Sequence, residues 1–333
     1  MLYPLPRFSR AVVRLLYNPW AICLVGFLLS GYMFFNSTWS FELYLDQNGK
    51  GYLGSNYWHL AQSIFSPQKA FYAESILWPL LARLLGASEE FYTFQMLNGF
   101  LFLSLLPIIF LTSRMAIASN VGYVIGIIIF FTSLNYFYNP VLGAPDPLVI
   151  IFILMMCISR SKMIIAYTTL GALAHFHVMV VAILALAPMY LLKDSRKKKN
   201  IQHLFYMALG LIIAKAIITG WSIIFSYDIF DRADFIKEKG LDFFIGRFLE
   251  APFHFLYTPG PYFLFTSLAI LFIVTFKRAY WIFLAYLWAL LISYCAHFVT
   301  IDGLRVFTSV TIGSFFLAVT YCLNVIFPKN NSN

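Results

Sequence analysis

The stretch LGALAHFHVMVVAILALAP, residues 170–188, sets His175 and His177 in the middle of an apolar run from Met163 to Leu192. A crossing helix needs about 20 apolar residues, so this run is too long for one comfortable crossing and barely long enough for two. Charge decides between them. Arg160 and Lys162 precede the run and Lys193 follows it. One crossing would put these basic ends on opposite sides, against the cytoplasmic bias of Lys and Arg. The run therefore predicts two short helices, 163–174 and 178–192, that enter and return on the cytoplasmic side. The histidines then sit at the turn, on the outer side.

The same logic extends to the whole chain. With 61% hydrophobic and 11% charged residues over 333 positions, the sequence is not that of a soluble globule. It predicts an all-α, polytopic transmembrane protein, a single integral membrane domain over 1–333. About ten spans are expected, at 19–36, 91–112, 120–138, 147–159, 163–174, 178–192, 203–226, 260–276, 279–298 and 304–327. The fourth to sixth are short for a hydrocarbon core of about 30 Å, which implies partial insertion or local thinning. The first apolar run, Trp20 to Phe35, follows a basic segment without a convincing cleavage site and reads as a retained anchor.

A net charge of +9 suggests nucleic acid until the charges are placed. Arg7, Arg10 and Arg14 precede the first span, Arg114 follows the second, and Arg160 with Lys162 follows the fourth. KDSRKKK (193–199) follows the sixth, Lys277 with Arg278 the eighth, and Lys329 the last. These are alternate ends, as expected for a multi-pass protein of the inner (cytoplasmic) membrane with both termini cytoplasmic. Of the 14 acidic residues, all but Asp194 fall on the other side. The basic balance is a topology signal, and no nucleic-acid partner is implied. KDSRKKK would also attract anionic lipid headgroups. Cys23, Cys157, Cys295 and Cys322 fall in predicted spans without paired spacing, so buried free thiols are expected and no metal site is indicated.

Two outer segments are long for connections, 37–90 and 227–259. The first opens with a Gly-rich loop and continues as one or two interfacial helices, with Trp58, Tyr72 and Trp78 as anchors. Polar residues converge on this outer face: Glu42 and Asp46 after the first span, Asp146 before the fourth, and His175 and His177 at the hairpin turn. Arg247 and His254 lie in the second long loop, and His297, Asp302 and Arg305 between the last two spans. Ionisable groups at membrane depth are costly and default to functional candidates. Each has a structural alternative. Asp146 caps the fourth helix or joins a site, Asp302 caps the last helix and pairs with Arg305, and the two histidines line a polar turn. Lys215, deep in the seventh span, snorkels, neutralises a carboxylate or acts in a site.

These residue types suit chemistry on an anionic lipid. A carboxylate accepts the proton of an attacking hydroxyl. Arg305 and Arg247 hold a phosphate through bidentate, charge-assisted hydrogen bonds, and the histidines bind phosphate or protonate a leaving group. Walker-type and dinucleotide-type glycine loops, HExxH and GxSxG are absent from the sequence.

In layout and in four short patterns the chain resembles the polyprenyl-phosphate-dependent, GT-C-type membrane glycosyltransferases. The patterns are YWHLAQ…ILWPLLARLLG in the first outer loop, DPL opening the fourth span, AHFH between two short helices, and DGLRVF opening the last span. The resemblance implies a GT-C-like fold. It implies Asp46 as general base with Glu42 as the alternate, and His175, His177 and Arg305 as phosphate or donor contacts. The substrate implied is a lipid-linked sugar on polyprenyl phosphate, and the acceptor a surface glycan or lipid. No cofactor is fixed by it, a divalent metal being left open, and oligomeric state is not specified. The chain departs from the family pattern in two places: Ser55 and Asn56 stand where relatives carry an acid, and Glu74 where they carry Arg. The function expected is sugar transfer on the outer side. A repeat-unit polymerase of surface polysaccharide and a lipid or glycolipid flippase are the alternatives.

Overall fold

The computed structural model describes residues 18–36, 53–66, 69–70, 74–117, 122–129, 145–159, 161–192, 197–229, 260–299 and 303–327, with isolated positions between 237 and 246. The helices among them, in chain order, are α1 (Pro19–Asn36), α2 (Leu53–Gln62), α3 (Leu77–Leu84), α4 (Phe91–Ile117), α5 (Gly122–Ile129) and α6 (Asp146–Ile158). They continue with α7 (Met163–Ala174), α8 (Phe176–Leu191), α9 (Lys197–Ile224), α10 (Gly260–Phe276), α11 (Tyr280–Val299) and α12 (Gly303–Ile326). Among the described residues the architecture is all-helical except for one two-residue parallel pairing, β1 (Lys69–Ala70) with β2 (Asp228–Ile229). Every stretch expected to span carries a helix; the third is described only over Gly122–Ile129.

Among the described residues, four helices are long and apolar enough to cross a membrane, within Phe91–Ile117, Lys198–Phe225, Tyr280–His297 and Val306–Ile326. Their surroundings differ. The apolar window of α12 is 78% buried inside the protein, whereas that of α9 is only 17% buried. Helix α12 is therefore the central post, packed against α6, α8 and α11, while α9 turns Ile212, Ile223 and Ile224 outward. Large apolar side chains exposed on α1, α9 and α10 belong in lipid rather than water.

Helices α6, α7 and α8 have 13, 12 and 16 residues. At 1.5 Å rise they reach roughly 18–24 Å, short of a hydrocarbon core of about 30 Å. The predicted hairpin is present. His175 takes an extended backbone (φ −159°, ψ 94°), ending α7 and opening α8. Its N–H donates to the Gly171 carbonyl, and its own carbonyl accepts from the Met179 N–H. The break uses neither Pro nor Gly.

Helix α9 lies parallel to α7 at close range. Gly210 makes this possible: a Cβ there would sit 2.6 Å from Thr168 Cβ and 2.8 Å from the Ile165 carbonyl. Thr169 Oγ1 donates to the Gly210 carbonyl across the same contact (3.1 Å). The ends of α4, α6, α7, α8, α9, α11 and α12 that adjoin the basic connections meet at one end of the bundle, around a cavity of about 960 Å³. The alternation of charge along the chain thus becomes a basic end. His175, His177, Asp146 and the Glu89–Glu90 pair before α4 stand at the other ends of these helices.

Two expectations need correction. Trp78 is not an interfacial anchor: its ring is buried (1% exposed) against Phe94, because Trp78, Pro79 and Ala82 form the face that α3 packs into the bundle. Trp58 is half-buried and donates its indole N–H to the Ser88 carbonyl, tying α2 to the start of α4. Tyr72 lies outside the described residues. The thiols of all four cysteines are free, but only Cys322 is buried, and Cys295 faces outward.

The close approach at Gly210 gives a direct test. Gly210→Ala forces α7 and α9 apart and should cost about 1–3 kcal/mol, as overpacked contacts do. Gly220→Ala, on the same helix with nothing within 4 Å, should be neutral or slightly stabilising. Thermal unfolding of the two variants in detergent should rank them in that order.

Candidate functional site

The site grows from the hairpin turn. Because α7 has only 12 residues, the His175–Phe176–His177 turn lies below the far end of the longer α9. Helix α9 passes beside it. From the Thr168–Gly210 contact, six residues of α7 lead to Ala174 and five of α9 lead to Lys215, so both climb roughly 8–9 Å. Lys215 therefore arrives level with the turn. Its ammonium lies 5.0 Å from the centre of the Phe176 ring.

The connection between α2 and α3 brings the third member. Glu74 precedes α3, and its carboxylate is divided between two partners. Lys215 Nζ donates to Oε1 at 2.6 Å, and His177 Nδ1 donates to Oε2 at 2.8 Å. The Glu74 side chain is 11% exposed, against 40% for His177 and 49% for Lys215. The acid is thus the buried hub, and the two bases form its accessible rim.

Neighbouring contacts hold the hub in place. Ile64 and Ile76, on either side of Glu74 in the chain, pack on Ile218 of α9, with Leu80, Leu173, Phe176 and Trp221 around them. Tyr227 donates its hydroxyl to the Ile64 carbonyl (2.6 Å), and Ser222 donates to the Tyr227 carbonyl (2.8 Å). The β1–β2 pairing adds a backbone tie between the same two segments. The first long loop is thereby fastened across the hairpin turn and the upper part of α9.

Burial by itself would push the Glu74 carboxyl up. Hydrogen bonds and positive charge from His177 and Lys215 outweigh it and draw the group down to about 2. Glu74 is therefore a fixed carboxylate near neutral pH and a poor proton acceptor. Its chemical role is to orient. Using Nδ1–H toward Glu74 leaves His177 Nε2 pointing elsewhere, as an acceptor in the neutral ring and a donor in the cation.

The sequence candidates are distributed as follows. His177 is in the cluster. His175 is buried beside it as the turn residue. Asp146 is buried in the first turn of α6, followed by Pro147, a helix-start position favourable to an acid. His297 is buried in the last turn of α11, at the same end of the bundle. Arg305 lies in the first turn of α12, though its side chain lies outside the described residues, as do Glu42, Asp46, Arg247, His254 and Asp302. Glu74 was singled out by the sequence only as a departure from a family pattern. One signal for it existed: it is the single acid between Asp46 and Glu89, and Lys215 is the single charged residue in α9 beyond its basic first turn. Among the described residues no group of three or more His, Cys, Asp and Glu is arranged to hold a metal ion.

Comparisons with protein-family models, curated proteins and solved structures returned no match.

The cluster makes two predictions. Glu74→Gln and Lys215→Gln should each cost about 1–2 kcal/mol, less than a fully buried pair because Lys215 reaches solvent or headgroups. The double variant should cost less than the sum, and strict additivity in thermal unfolding would show that the two do not interact. The second concerns acid. The ordinary carboxyl value is 4.5 and the folded value about 2, so the unfolded chain takes up the proton first as pH falls. The stability Glu74 contributes is complete above pH 4.5 and is lost as pH drops toward 2. The gap in unfolding temperature between the wild type and Glu74→Gln should shrink over that interval.

Proposed function

We propose that the chain is a membrane glycosyltransferase of the polyprenyl-phosphate-dependent kind. It would have about ten crossings and a GT-C-like arrangement, moving a sugar from a lipid-linked donor to a glycan or lipid acceptor on the outer side. The observation that carries this reading is the Glu74–His177–Lys215 cluster, at the turn of a hairpin too short to span and beneath the first long loop. A lipid phosphate presents its charge at headgroup depth, where an exposed lysine and an oriented histidine meet it without leaving the membrane.

The division of labour follows from the charges. Glu74 holds His177 and Lys215 in place and, with its carboxyl near 2, does not serve as the base. Deprotonation of the acceptor hydroxyl falls to Asp46, with Glu42 as alternate. The acceptor oxygen then forms its bond to the anomeric carbon while the bond from that carbon to the lipid phosphate oxygen breaks. The departing phosphate is stabilised by Lys215 and by the Nε2–H that the His177 cation donates, an electrostatic contribution. Arg305 and Arg247 are the further phosphate contacts of this proposal.

Lipid-linked glycans from a strain lacking the gene, complemented with variants, test it by mass spectrometry. Asp46→Asn combined with Glu42→Gln should reduce transfer about 100-fold or more. His177→Asn should reduce it about tenfold, through loss of one charge-assisted hydrogen bond. Undiminished transfer by the double variant would remove the proposed base. A strain that displays single repeat units in place of long chains would point to a polymerase.

A further inference from the structure

The cavity of about 960 Å³ at the basic end lies far from the Glu74 cluster. Lys199 on its wall and Lys215 in the cluster are sixteen residues apart on α9, about 24 Å along the helix. The cavity is at the upper end of the range for small-molecule sites, roughly 300–1,000 Å³. Its walls are of two kinds. Lys162 and Lys199 supply charge, with the hydroxyls of Ser159 and Ser161 between α6 and α7, and no acidic residue is among the described residues that line it. Trp281 and Tyr321, packed edge to face at 5.7 Å, form an aromatic wall. A second ring pair, Tyr190 with His203 at 5.8 Å, closes another side.

Two ammonium groups with neighbouring hydroxyls, and no carboxylate among the described lining residues, favour an anion with several acceptor oxygens. The aromatic wall favours a ligand with a ring or an apolar body attached to that anion. The exposed Lys162, Lys199 and Asn324 give access from the end of the bundle. Lys199 is also the last residue of the run KDSRKKK, so the field that draws anions to this surface leads to the cavity.

We propose that this cavity is a binding site for a phosphate-bearing ligand, its phosphate between Lys162 and Lys199 and its body against Trp281 and Tyr321. The phosphate is that of an anionic lipid headgroup or of a soluble phosphate compound. The site stands apart from the proposed transferase centre and does not depend on it.

The test uses the full chain in two settings. In nanodiscs of phosphatidylcholine with and without phosphatidylglycerol, native mass spectrometry counts retained anionic lipid. In neutral detergent, inorganic phosphate and pyrophosphate are titrated while thermal unfolding is followed. Lys162→Ala and Lys199→Ala should each weaken binding about fivefold, and together about 30-fold. Lys198→Ala, on the same exposed run but outside the cavity lining, should leave binding unchanged. Asn324→Trp, which fills the mouth without altering charge, should abolish it. Retention of phosphatidylglycerol with no response to soluble phosphates assigns a lipid headgroup. A shift with pyrophosphate that displaces the lipid assigns a soluble compound. The proposal is overturned if Lys198→Ala weakens binding as much as Lys199→Ala while Asn324→Trp has no effect, since the anion would then sit on the surface. It is equally overturned if neither probe is bound.

Discussion

A carboxylate buried among apolar side chains must be neutralised where it stands, and Glu74 shows what that requirement organises. Its two oxygens take one donor each, Lys215 from α9 and His177 from the hairpin turn. Three segments far apart in the chain are thereby fixed to one point. The apolar packing of Ile64, Ile76 and Ile218 shields the carboxylate, while His177 and Lys215 stay accessible at its rim, so the loss of a partner costs less than in a fully buried pair. The hydrogen bonds of Tyr227 and Ser222, and the short β1–β2 pairing, are subsidiary fastenings of the same closure.

The depth of that closure comes from helix length. Helix α9 has 28 residues and runs beyond a hydrocarbon core of about 30 Å, while α7 has 12 and cannot cross it. Placed parallel in contact at Gly210, the long helix continues past the turn of the short one and leaves Lys215, the lysine far from its basic first turn, facing the hairpin turn. The gap above the turn is occupied by α2, α3 and the residues between them. A long connection thus becomes part of the packed interior, which is why Tyr57 and Trp78 are among the most buried side chains of the molecule. The two ends of the bundle then differ in kind. One gathers a buried acid and imidazoles, and the other opens a cavity between lysines and aromatic rings.

Hydropathy and the order of charges made much of this legible before any contact was known. The hairpin at residues 163–192 was predicted from basic residues at both ends of an over-long apolar run, with no Pro or Gly to mark the break. The helix boundaries elsewhere follow from apolar runs that a helix must carry through lipid, since only there does each backbone group find its partner within the segment. Trp78 was misplaced because an aromatic residue near a predicted membrane surface has two stable positions, at the interface or in the core. Composition does not distinguish them.

The sequence by itself determined the helical class, the placement of the helices and the separation of basic from acidic ends. Those depend on local hydrophobicity and on charge counted along the chain. It did not determine that Glu74, His177 and Lys215 belong together. They come from three separate segments, and the pairing of Glu74 with Lys215 across 141 positions is decided by which helix faces meet. Only the tertiary structure supplies that, because the contact at Gly210 sets the level of α9 against α7 and the packed first loop brings the acid down to both bases.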